Sequence, residues 1–102
     1  MDKKKANFIL RRKILDVVYA WEIEIFGEEL NEKNKWKLKS GRDAISLYLV
    51  NKHGWTIEHC QSLSDEVLRI TLADEMKSWK RPRYFDELYS PYFSILNKSP
   101  ED

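Results

Sequence analysis

The chain has 102 residues, with 18 Lys and Arg against 17 Asp and Glu and 42% hydrophobic content. This fits one domain with its own core and excludes an intrinsically disordered chain. A formal net charge of +1 excludes a uniformly basic protein that coats nucleic acid or a membrane by bulk electrostatics. The single cysteine, Cys60, excludes an internal disulfide framework, so a cytoplasmic setting is expected. No membrane partner is expected either. The basic start Lys3–Lys5 is followed by an apolar stretch that Arg11, Arg12, Lys13 and Asp16 interrupt, and no run approaches the roughly 18–20 apolar residues of a membrane span.

The first predicted element is a long helix over about Lys5–Leu30. Leu10, Ile14, Val17, Val18, Trp21 and Ile25 recur at three- and four-residue steps, and Phe8, Leu15, Tyr19 and Phe26 widen the stripe. Its end is expected at Gly27 or at Leu30, followed by a polar, lysine-rich connection over 31–39. Ser40 with Asp43 resembles a capping box and opens a second helix, Gly41–His53, in which Ala44, Ile45, Tyr48, Leu49 and Lys52 share a face. Gly54 suits the left-handed position after a helix end. Thr56 caps a single turn, Ile57–Gln61, and Ser64 caps a third main helix over about 65–80, closed by Pro82. Leu68, Leu72, Met76 and Trp79 form the apolar line of that helix, with Val67 in support. The aromatic-rich remainder, with Phe85, Tyr89, Phe93 and Leu96 at helical steps, is expected as two short helical pieces that break at Ser90-Pro91. The expected fold is thus all-α: one domain over 1–102, a bundle of about four helices with frayed ends at about 1–4 and 97–102.

The small net charge conceals segregation. Lys3 to Lys13 holds six bases and no acid, Ile14 to Glu32 six acids and no base, and Lys33 to Arg42 five bases and no acid. In the third helix, acids at the start and bases at the end agree with the helix dipole. In the first helix the order is reversed, which requires compensating charges elsewhere in the fold or on another molecule.

Chemistry-bearing constellations are sparse. His53, His59 and Cys60 are the only soft metal ligands; a structural zinc site usually takes four, and neighbouring helical side chains diverge by about 100°. His53 suits a helix end, and Cys60 suits a small buried apolar position. The acid pairs are adjacent in sequence and so diverge on a helix, and the three glycines are isolated, leaving no phosphate loop. No catalytic residue, metal or cofactor is assigned, and a non-enzymatic protein is expected.

Two binding functions remain. In the leading one the protein binds a protein partner, as an accessory, immunity or adaptor protein or as a self-associating one, through Tyr84, Tyr89, Tyr92 and Phe93. Clustered aromatics are typical interface anchors, and segregated charge orients association. The alternative is nucleic-acid binding through a composite basic surface of Arg11, Arg12, Lys35, Trp36, Lys37, Lys39, Lys80, Arg81 and Arg83, where bases pair with phosphates and a Trp stacks. A helix-turn-helix reading of the second and third helices is opposed by Asp65 and Glu66, which would repel phosphate at the start of the recognition helix.

Overall fold

The computed structural model describes residues 1–97. They form six helices: α1 (Lys3–Asn34), α2 (Gly41–His53), α3 (Ile57–Ser62), α4 (Asp65–Thr71), α5 (Ala73–Lys77) and α6 (Arg83–Leu96), with no strand among the described residues. The chain divides into a central unit, Tyr19–Trp79, and a terminal unit made of Met1–Val18 together with the chain from Lys80 onward. The fold is all-α, as the periodicity predicts. The expected fraying of 98–102 lies outside the described residues.

In the central unit, Ile23, Phe26, Ile45, Leu49, Cys60, Leu68 and Leu72 form the core, with Leu30, Tyr48, Val50, Trp55, Leu63, Met76 and Trp79 packed partly buried around it. Burial pushes the Cys60 thiol above its ordinary range, as expected of a small apolar core residue.

Gly27 does not stop α1. It lies inside the helix, where it meets Gly41 at the start of α2. A Cβ on Gly27 would sit 1.8 Å from the Gly41 carbonyl oxygen, and one on Gly41 would sit 1.9 Å from the Glu24 carbonyl oxygen. The two backbones therefore approach as only glycine permits. At the same crossing the Glu24 carboxylate accepts from the Gly41 and Arg42 amides at 2.7 and 3.1 Å, while Ser40 Oγ accepts from the Asp43 amide. Three of the amides left without helical partners at the start of α2 are thus satisfied.

The helix α1 instead ends at Asn34, overturning a connection that begins at residue 31. Lys35 takes the left-handed position (φ 56°), its amide bonding to Glu32 O and the Trp36 amide to Asn31 O. This pairing is a Schellman ending, with lysine where glycine is usual. The buried Asn31 side chain then brackets the following loop, donating to Leu38 O and accepting from its amide, both at 3.0 Å.

Three caps hold as predicted. Gly54 ends α2 at φ 70°, Thr56 Oγ1 caps α3, and Ser64 Oγ caps α4. The predicted 65–80 helix is broken, however. Thr71 Oγ1 bonds back to Val67 O at 2.8 Å, and buried Leu72 leaves helical geometry at φ −97°, ψ 15°; such back-bonding bends helices. The last piece stops at Lys77, so Pro82 is not its terminator but precedes α6 in an extended conformation.

In the terminal unit Ile14, Val18 and Phe85 are buried. At the start of α1, Asp2 Oδ1 accepts from the Lys5 amide at 2.7 Å and caps the helix. Ser90-Pro91 does not divide α6, which is continuous through Pro91. Proline removes one backbone bond, but Phe85, Tyr89 and Phe93 pack along one side across that position, with Phe85 stacked on Tyr89 at 4.9 Å.

The glycine crossing yields a test of sign. In an unconstrained helix interior, Gly→Ala stabilises by about 0.5–1 kcal/mol. At Gly27 or Gly41 the added methyl has no space, so Gly27→Ala and Gly41→Ala each lower stability in urea unfolding by about 1–3 kcal/mol or more.

Candidate protein-binding surface

The helix α6 carries apolar residues around about half its circumference, given its 100° steps. Phe85, Tyr89, Phe93 and Leu96 form one side. Phe85 is fully buried, Tyr89, Phe93 and Leu96 are half-buried, and the Arg81 guanidinium lies 5.0 Å from the Phe85 ring centre and 5.2 Å from that of Phe93. Burial, and secondarily the neighbouring Tyr92, push the Tyr89 phenol above its ordinary range. Tyr84, Leu88 and Tyr92, at four-residue steps, form the other side and are 52, 61 and 44% exposed.

Of the four aromatics picked from the sequence, Tyr84 and Tyr92 thus lie on an open stripe, and Tyr89 and Phe93 belong mainly to the packed side. Leu88, the most exposed of the stripe and its centre, was missed. The regular spacing 84–88–92 would have found it. Within the same unit Phe8, Leu10 and Val17 of α1 are exposed as well, against their predicted place on a buried stripe. The helix has only one side turned inward, and Ile14 and Val18 fill it.

Of the eight basic residues picked for nucleic acid, the four arginines are paired within the chain. Arg11 donates to Ile95 O at 3.1 Å and to Leu96 O, satisfying carbonyls at the end of α6. Arg12 pairs with Asp16 at 3.9 Å, Arg81 with Asp86 at 3.1 Å and Arg83 with Glu87 at 3.6 Å. Arg11 therefore sits at the end of α6 and Arg83 at its start, while the Arg81 guanidinium reaches along the helix to the Phe93 ring. Lys80 is exposed. Lys35, Lys37 and Lys39, also exposed, surround a half-buried Trp36 in the central unit. Among its described residues the terminal unit holds nine bases and four acids; the central unit holds eight and eleven.

The central unit contains a cleft of about 370 Å³ lined by Phe26, Glu29, Leu30, Lys33, Tyr48 and Glu75. Trp79, predicted as core, is only half-buried beside it. Its ring meets Phe26 edge-on at 5.5 Å and its indole N–H donates to Glu29. Glu75 Oε1 accepts from Lys52 Nζ and from the Tyr48 hydroxyl, while Oε2 is buried with no hydrogen-bond partner. Burial pushes the Glu75 carboxyl up, but the bonds from Lys52, from the backbone and from Tyr48 outweigh it and hold it below its ordinary 4.5. The bond to Glu75 holds Lys52 above its ordinary 10.5.

His53 and His59 are exposed and flank Trp55, His53 stacked on it at 4.6 Å. No group of three or more His, Cys, Asp or Glu among the described residues is placed to hold a metal ion. No described helix is long and apolar enough to cross a membrane. Comparison with protein families, curated proteins and solved structures finds no match to this chain.

Two outcomes separate the open stripe from the packing. Leu88→Ser leaves the unfolding free energy within about 0.5 kcal/mol of the parent, whereas Phe85→Ala lowers it by about 3–5 kcal/mol. The Glu75 bonds contribute stability above pH 4.5, which is lost as the pH falls through the lowered folded value. The stability gap between the parent and Glu75→Gln therefore narrows on acidification below pH 4.5, as read by urea unfolding across pH.

Proposed function

We propose that this protein acts by binding another protein, and that the Tyr84–Leu88–Tyr92 stripe of α6 is the docking face. One observation carries the reading. Three large apolar side chains stand open at four-residue steps on a helix whose other apolar side packs around the buried Phe85. Given the surface such side chains carry, the stripe amounts to roughly 300 Å², the size of a functional patch on a small protein. Helix faces read as i, i+4, i+8 anchors are a recurring mode of helix-in-groove recognition. Tyrosine adds a polar tip that accepts a hydrogen bond at the rim while its ring is buried.

The surrounding charge favours an acidic or charge-mixed partner surface. Arg83 and Glu87 flank the stripe, and the unit as a whole is basic; such charges set orientation and on-rate more than affinity. The nucleic-acid reading draws less support, because Arg11 is taken up by carbonyls at the end of α6 and Arg12, Arg81 and Arg83 each have a carboxylate beside them that offsets their charge.

Photo-crosslinking tests the proposal. With p-benzoylphenylalanine replacing Leu88, irradiation in the native host yields a discrete protein adduct, and the same probe replacing exposed Gln61 does not. An adduct of twice 12.3 kDa identifies self-association as the form of binding, and a different mass identifies a heterologous partner. Equal labelling from both positions, no adduct from Leu88, or an adduct removed by nuclease overturns the reading.

A further inference from the structure

The cleft of the central unit lies outside the proposed docking face and has its own chemistry. Its apolar walls are Phe26, Leu30 and the Tyr48 ring; Glu29 and Lys33 line it as well, and its most enclosed charge is Glu75, whose side chain is only 17% exposed. One Glu75 oxygen is already used by a cation from the chain itself. The Lys52 ammonium bonds to Oε1 and lies 5.8 Å from the Tyr48 ring centre, a cation–π placement. The other oxygen, Oε2, is buried without a donor, although a carboxylate accepts several hydrogen bonds.

We propose that this cleft binds a primary ammonium group on an aliphatic stem, with the ligand taking the place of Lys52 on Glu75. Three features favour that class. The acid is only 17% exposed and held by the Tyr48 hydroxyl, whereas Lys52 is 44% exposed on a four-carbon stem and is released to water at little cost. An anion would instead lie against two carboxylates, Glu75 and Glu29, that cannot retreat in the same way; the bases that would attract it, Lys33 and Lys52, are both exposed. A cavity of about 370 Å³ with apolar walls is at the small end of ligand sites, matching a four- or five-carbon chain. Lys52 itself demonstrates that this acceptor and ring accommodate an ammonium. The ligand source is either a lysine side chain of a peptide or a free alkylamine, which share this chemistry.

Three probes distinguish the outcomes by backbone and side-chain NMR titration of the full chain: 1-aminopentane, Nα-acetyl-lysine-N-methylamide and neutral 1-pentanol. At least one amine saturably shifts Phe26, Leu30 and Tyr48, and pentanol does not. Lys52→Ala, which removes the competing cation from an exposed position, binds the amine several-fold more tightly. Glu75→Gln, with its spectrum confirming that it is folded, loses binding. Saturation by the acetyl-lysine amide assigns a peptide lysine; saturation by 1-aminopentane alone assigns a free amine. The proposal is overturned if neither amine shifts these residues in the parent and in Lys52→Ala, if pentanol shifts them equally, or if Lys52→Ala weakens binding.

Discussion

The central unit depends on the crossing of two glycines. Gly27 in the middle of α1 and Gly41 at the start of α2 bring the two backbones so close that a single added methyl would overlap a carbonyl oxygen on the other helix. That approach places the Glu24 carboxylate within reach of the first two amides of α2, turning a side chain from the middle of one helix into the N-terminal cap of another. The rest follows in order. Arg42, fixed one residue after the crossing, donates to the Leu63 carbonyl and pairs with Asp65, tying the start of α2 to the start of α4. Ile45 and Leu49 then enter the core with Ile23 and Phe26. Glycine inside a helix costs about 0.5–1 kcal/mol relative to alanine, and here the close packing and the cap it permits offset that cost.

The same arrangement accounts for the charge blocks. Read over about Lys5–Leu30, the first helix runs against its dipole, basic at the start and acidic at the end. Its actual bounds soften that order, because Asp2 caps the start and Lys33 lies in the last turn, both of the favoured sign, although Lys3, Lys4 and Lys5 still fill the first turn. Three of the acids between them are used within the central unit. Glu22 pairs with Arg69 at 3.3 Å, Glu24 caps α2, and Glu29 accepts from Trp79. Arg69 lies in turn 4.0 Å from the Tyr19 ring centre. Half of a run of acids that seemed to demand another molecule is thus taken up by donors of the same unit.

What is left over differs between the units. The terminal unit leaves apolar surface uncovered, on the Tyr84–Leu88–Tyr92 side of α6 and at Phe8, Leu10 and Val17 of α1. The central unit leaves a buried oxygen of Glu75 without a donor, on a side chain that lines a small cleft. The first underlies the protein docking proposed above, and the second the proposed ammonium site.

Much of the local structure was legible in the residues. The caps at Ser40, Thr56 and Ser64 and the left-handed Gly54 act within three or four residues of themselves, so α2 emerged with both ends correct, as did the starts of α3 and α4. The all-α class followed from hydrophobic periodicity, which is equally local. Where the reading failed, a distant partner or an unusual residue decided. Lysine at Lys35 does the work of a terminating glycine. Thr71 bonds its own helix and breaks it at Leu72. Packing of Phe85, Tyr89 and Phe93 carries α6 through Pro91. The sequence by itself determined the helices, most of their starting caps and the aromatic density of the C-terminal segment. Only the tertiary structure decided that Gly27 is a crossing point rather than a stop, which side of α6 stays open, and which charges are already taken. A helix presents every face alike until a neighbour covers one of them, and no spacing along the chain records where that neighbour lies.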